Sequence, residues 1–146
     1  MNRSLIDAFG ISATGIASIV GAGGKTTLMF RLAGELVRAG YRVLTTTSTK
    51  IFKPTTGQSP KVIISEDPSE VIRCADRHPL QSFHLTAAEQ YDETNNKLIG
   101  YVPEAINEIW RSGKFSHILI EADGAARRPL KAPASHEPVI YRKHPY

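Results

Sequence analysis

The sequence predicts an α/β fold, a mostly parallel sheet flanked by helices, in a single domain over residues 1–146. Three observations carry that prediction. Short apolar runs alternate with segments of helical period, the pattern of strand–helix–strand units. The first apolar run, Ile16 to Val20, enters a glycine-rich turn, Gly21-Ala22-Gly23-Gly24-Lys25-Thr26-Thr27, and a helical pattern leaves it. A later run, His117 to Ile120, leads into Glu121-Ala122-Asp123-Gly124. That puts acids at the carboxyl end of a strand, where open parallel sheets bind ligands.

The elements follow in order. Met1 to Gly15 reads as a lead-in with one helical turn at Ser4 to Phe9. Ile16 to Val20 is short and apolar and runs into glycine, which suits a buried parallel strand. In the helix from Thr27 to Ala39, Leu28, Leu32 and Leu36 form one apolar row and Met29, Ala33 and Val37 the next. Arg31, Glu35 and Arg38 fall on the other side, and Gly40 stands where a helix-stopping glycine belongs. Arg42 to Thr47, rich in β-branched residues, is the second strand. Ile51 to Pro60 reads as a loop broken by Pro54, Gly57 and Pro60, and Val62 to Ile64 as a short strand. Pro68 to Asp76 fits a helix with Asp67 as its N-cap. Phe83 to Leu85 is a strand. Tyr91 to Tyr101 is a hairpin around Asn95-Asn96, with Lys97 to Tyr101 in its return strand. Pro103 to Arg111 suits a helix buried along Ile106, Ile109 and Trp110 and ended by Gly113. His117 to Ile120 is the last clear strand; the tail from Tyr141 to Tyr146 shows no strand or helix pattern.

Composition narrows the function classes. No apolar run approaches the ~20 residues of a membrane span, and Met1 to Gly10 lacks the apolar core of a signal peptide, so a cytoplasmic location is expected. The lone cysteine, Cys74, excludes an internal disulfide and reads as a half-buried helical thiol. His78, His84, His117 and His144 show no metal-ligand spacing. The net charge of +4 suits a phosphate ligand as well as nucleic acid, and no nucleic-acid motif is visible.

Three clusters carry chemistry. In the first, Gly21, Ala22, Gly23 and Gly24 let backbone N–H groups turn inward around an anion, and the helix start adds unpaired N–H groups. Lys25 supplies a cation, Thr26 a hydroxyl for Mg²⁺, and Thr27 a further hydroxyl. The fit to G-x-x-x-x-G-K-[ST] is incomplete, since Ile19 occupies the place of the first glycine. The loop is a shorter G-x-x-G-K-T-T, and the expected ligand is ATP or GTP with Mg²⁺. The second cluster, Thr45 to Lys50, offers Thr47 and Lys50 to the same ligand, although threonine also suits a plain strand. In the third, Glu121 and Asp123 lie two apart and share one face of a continuing strand. One serves the metal and the other orients a water or substrate hydroxyl, unless both are simply solvated acids. Arg127, Arg128 and Lys131 follow, placed either to offset phosphoryl charge or as an exposed basic loop. His136-Glu137 on its own reads as surface chemistry.

Together these stretches resemble the YqeC family, named as selenium-dependent molybdenum hydroxylase accessory proteins. The matching segments are Ile19 to Thr27, Val43 to Lys50 and Leu119 to Pro138, including Glu121-Ala122-Asp123-Gly124-Ala125 and Ser135-His136-Glu137-Pro138. The resemblance implies a P-loop NTPase-like fold and a role in maturing a molybdenum enzyme, with that hydroxylase or its cofactor as partner. It leaves open whether the protein turns nucleotide over, carries a nucleotide or molybdopterin cofactor without chemistry, or is an inactive fragment. The short loop also resembles that of Mur-type ligases. Family members continue beyond the His-Glu-Pro segment, so the resemblance implies that the C-terminal part of the family domain is missing here.

Overall fold

The computed structural model describes residues 4–21, 23–79 and 81–122, together with the backbone of residues 139–142. In chain order the elements are α1 (Leu5–Ala8), β1 (Gly15–Gly21), α2 (Lys25–Arg38), β2 (Arg42–Thr47), β3 (Lys50–Phe52), β4 (Val62–Ile64), α3 (Pro68–Arg77), β5 (Phe83–Ala88), β6 (Gln90–Asp92), β7 (Lys97–Ile99), α4 (Pro103–Arg111), β8 (His117–Glu121) and β9 (Val139–Arg142). Six strands form a parallel sheet in the order β4-β5-β2-β8-β1-β9. The remaining three form a small antiparallel sheet, β3-β7-β6. The expected α/β architecture is therefore present.

Helices cover both faces of the large sheet, which is why its central strands are buried almost throughout rather than on alternate residues. On one face Met29, Leu32 and Leu36 of α2 are wholly buried against Ala17, Ile19, Val43 and Leu119. Each such side chain contributes about 1.5–3 kcal/mol by leaving water. On the other face Val71 and Ala75 of α3 and Ile106 and Ile109 of α4 pack on Leu44, Ile118 and Ile120. Local signals set the helix ends. Asp67 caps α3, its carboxylate accepting from Ser69 N–H at 2.9 Å, with Pro68 in the first turn. Gly40 follows α2 at φ 101° and Gly113 follows α4 at φ 71°, conformations that favour glycine. The lead-in is tied down by Glu35, whose carboxylate accepts from Leu5 N–H at 2.8 Å and Ile6 N–H at 3.2 Å. Cys74 is a free, half-buried thiol on α3.

Several expectations are corrected. The segment from Ile51 to Pro60 is not all loop: Ile51 and Phe52 belong to β3, which pairs with the return strand of the hairpin. The inward side chain of Ile51 meets Leu98, and both join the core under α2. That return strand stops at Ile99 rather than Tyr101. β5 runs on to Ala88, because Thr86, Ala87 and Ala88 pair with β4 as well as continuing β5. Trp110 is only half-buried; Asn107 is buried beside Ile106 and Ile109 instead. Strand β9 lies parallel to β1 from Ser18↔Val139 to Gly21↔Arg142, so it takes in Tyr141 and Arg142, the first two residues of the tail expected to show no strand; residues 143–146 lie outside the described residues. Its β-prone Val-Ile-Tyr is shorter than the pattern that marks a strand without its partner.

A polar chain crosses the α2 side of the sheet. His84 Nε2 lies 2.9 Å from Thr45 Oγ1, which lies 2.7 Å from Thr86 Oγ1; Thr86 donates to Ser59 Oγ at 2.6 Å. Burial lowers the pKa of His84 from its usual value to about 4. His117 is lowered as well, by burial, against a smaller upward effect of its hydrogen bond to Ser12. Both histidines favour the neutral form when folded. Their contribution to stability is complete above pH ~6.5 and is lost as the pH falls, because the unfolded chain then binds more protons. For His84 the loss amounts to about 3 kcal/mol by pH ~4. Urea unfolding at pH 7 and pH 4 checks this against His84→Phe: the wild-type advantage should shrink by about that amount. An advantage independent of pH would contradict it.

Candidate functional site

The site is built where β1, β8 and β2 end side by side. Glu121, the last residue of β8, lies between Ile19 of β1 and Thr47 of β2 in register. Backbone bonds lock the junction. Ala122 N–H donates to Ile19 O at 2.9 Å, and Ser48 N–H donates to Glu121 O at 3.1 Å. The Thr47 hydroxyl donates to the same Glu121 carbonyl at 2.9 Å and accepts from Thr49 N–H at 3.0 Å. The threonine run therefore acts in two ways: it forms a strand, and its last hydroxyl pins the strand end beside Glu121.

β1 delivers the glycine turn onto this junction. Gly21, Gly23 and Gly24 have φ of 119°, 59° and 72°, and Gly24 is the N-cap of α2. Glycine reaches these values without a Cβ clash, so the chain reverses tightly from strand into helix. Among the described residues no side chain caps α2, an arrangement in which the opening N–H groups can serve a ligand. Lys25 reaches over β8, its ammonium donating to Ala122 O at 3.1 Å. Thr26 donates its hydroxyl to the Glu121 carboxylate. Glu121 is only 7% exposed. One cation, one hydroxyl and one carboxylate thus meet at a helix N-terminus.

A paired hydroxyl and carboxylate suit Mg²⁺, which takes one or two protein oxygens and keeps waters and phosphate oxygens for the rest. Among the described residues no three His, Cys, Asp or Glu side chains converge on an all-protein metal cage.

A family model described as YqeC protein matches residues 17–145. The chain belongs to the YqeC family. The "Uncharacterized protein YqeC" of Escherichia coli (strain K12) is 42% identical over 126 residues, covering 86% of this chain and 46% of that protein. The chain thus spans about half the length of the curated relative it matches. No solved structure matches it significantly. No helix among the described residues is long and apolar enough to cross a membrane.

This YqeC chain brings together Gly21, Gly23, Gly24, Lys25, Thr26, Thr47 and Glu121. Thr27 is exposed and lines a groove along α2. Lys50 opens β3 opposite Ile99. Its nearest charge effect is on Asp92, whose carboxyl is lowered chiefly by hydrogen bonds from Asn95 with Lys50 adding to them. Ala22, Asp123, Arg127, Arg128, Lys131, His136 and Glu137 lie outside the described residues.

Two contributors were not singled out from sequence. The carbonyl of Ala122 holds Lys25, and a backbone acceptor leaves no trace in residue identity. Gly100 is the other. A Cβ there would lie 1.6 Å from Thr47 O, so the chain behind β7 can rest against the pinned strand end only as glycine. A glycine within the expected return strand was the available signal, since it marks a close backbone approach.

Proposed function

We propose that this chain binds ATP or GTP with Mg²⁺ at the turn from Gly21 to Thr27, as an accessory protein in maturing a selenium-dependent molybdenum hydroxylase. The observation that carries the nucleotide reading is the convergence of Lys25 and Thr26 of α2 on Ala122 and Glu121 of β8. In this reading the N–H groups of the turn and Lys25 hold the phosphates, and Thr26 with Glu121 serves the metal. The reaction suited to such a site is hydrolysis or transfer of the terminal phosphoryl group. The incoming oxygen bonds to the γ-phosphorus, the bond to the β,γ-bridging oxygen breaks, and the nucleoside diphosphate leaves. Asp123, the second acid of the pair, orients the attacking group, and Arg127 and Arg128 offset developing charge. The maturation role rests on family membership alone.

Titration calorimetry with ATP and GTP, with and without Mg²⁺, tests the binding. Saturable binding of a triphosphate, strengthened by Mg²⁺, is expected. Heats indistinguishable from dilution for both nucleotides would reject the site. Phosphate release from the bound complex then separates an NTPase, which turns over, from a carrier, which does not.

A further inference from the structure

A second cleft lies toward the opposite end of α2 from Lys25. β4 pairs with β5 only from Thr86 onward, so Phe83 to Leu85 border an open cleft of about 460 Å³. That volume lies within the range of small-molecule sites. Its other walls include Arg38 from the end of α2 and Lys61 before β4, both exposed. Among the described residues no acidic side chain lines it.

The hydrogen bonds fix how His84 faces this cleft. Ser59 donates to Lys61 O, which can only accept, so the one proton of Ser59 is spent there. Thr86 must then donate to Ser59, and Thr45 to Thr86. Thr45 has no proton left for His84, so His84 Nε2–H donates to Thr45 Oγ1. The other ring nitrogen, Nδ1, keeps its lone pair, and no described residue donates to it. His84 lines the cleft while more than nine-tenths buried. A neutral acceptor is thus fixed by a chain of hydroxyls and left without a donor.

Gly34 supplies the floor. It stands mid-helix in α2, where glycine costs about 1 kcal/mol against alanine. The three atoms nearest to a Cβ there all belong to the Arg38 guanidinium, the closest at 3.3 Å. Gly34 also lines the groove of about 340 Å³ that runs along α2 to Thr27, so the cleft continues toward the glycine turn.

We propose that this cleft binds a small anionic aromatic molecule, its negative group at Arg38 and Lys61 and a ring N–H or O–H donating to His84 Nδ1. Charge complementarity selects the anion, the unpaired acceptor selects the donor, and Val37 and Pro60 offer apolar surface to the flat body. Neither Lys25 nor Glu121 takes part, so this site stands or falls apart from the nucleotide reading.

Anilinonaphthalene sulfonate is a suitable probe, being a flat anion with one N–H donor. Fluorescence titration should give one saturable site. Arg38→Ala combined with Lys61→Ala should weaken it at least tenfold (about 1.4 kcal/mol). Gly34→Leu, which fills the floor, should do the same while the melting temperature holds. Lys25→Ala should leave the affinity unchanged. In nitrogen NMR, the His84 Nδ1 resonance should start as an unprotonated acceptor and move on probe binding. Affinity within twofold of wild type in both the double variant and Gly34→Leu would overturn the proposal. So would loss confined to Lys25→Ala, or an unmoved Nδ1 resonance.

Discussion

Lys25→Ala is expected to lower affinity for Mg²⁺-bound ATP or GTP at least 100-fold, about 2.7 kcal/mol. The size follows from what the ammonium does. A hydrogen bond between charged partners contributes about 1.5–3 kcal/mol, and this one would act on phosphate oxygens beside α2's uncapped start. Among the described residues Lys25 makes one partly buried bond, to Ala122 O at 3.1 Å. Its loss should therefore cost stability no more than about 1 kcal/mol. The two readouts separate: calorimetry should register a large loss and thermal melting a small one. Lys25→Arg should not rescue binding, because a planar fork replaces a compact ammonium where the turn is shortest. Wild-type affinity in Lys25→Ala would remove the turn from the binding site.

The site owes its coherence to Glu121 more than to the glycine turn. Its carbonyl receives both Ser48 N–H and the Thr47 hydroxyl, fixing β2 against β8. Its carboxylate receives Thr26, fixing α2 above the same junction. β1 and β8 are held in register up to Ile19 and Glu121, so the strand that feeds the shortened turn is fixed two residues before Gly21.

Sequence reading reached this much because the informative signals were local. Glycines followed by Lys-Thr-Thr, an apolar run ending in an acid, and a proline after an aspartate each fix their own backbone within a few residues. Tertiary partnership was less legible. Val139 to Arg142 becomes a strand because β1 has a free edge beside it, and Ile51-Phe52 because the hairpin lies alongside. His84 had only a negative signal, an absence of metal-ligand spacing. Its role in the polar chain depends on Thr45 and Thr86, which lie opposite each other across two paired strands. The carbonyl of Ala122 was invisible in principle, since every residue has one.

Gly100→Ala is expected to destabilise the protein by about 3 kcal/mol, toward the upper end of overpacking costs. The added Cβ would sit 1.6 Å from Thr47 O and 2.4 Å from Thr47 C, contacts with backbone that no rotamer change relieves. Thr47 cannot yield cheaply. It is paired with Glu121 in register, and its hydroxyl holds the Glu121 carbonyl. Gly100 cannot retreat freely either. Its N–H donates to Thr49 O at 2.9 Å, and the next residue, buried Tyr101, donates its hydroxyl to Ser65 O at 2.6 Å. Strain must therefore pass into the segment from Thr47 to Lys50 or separate the small sheet from the large one. A drop in melting temperature of roughly 10 °C is expected for a domain of this size. Gly57→Ala is the control, because a Cβ there would meet only Thr55 Oγ1 at an ordinary 3.8 Å. It should stay within about 0.5 kcal/mol of wild type. If Gly100→Ala melted with that control, β7 would not be packed against the end of β2. If instead it melts early and the folded fraction also binds nucleotide more weakly, the small sheet helps hold the phosphate site in shape.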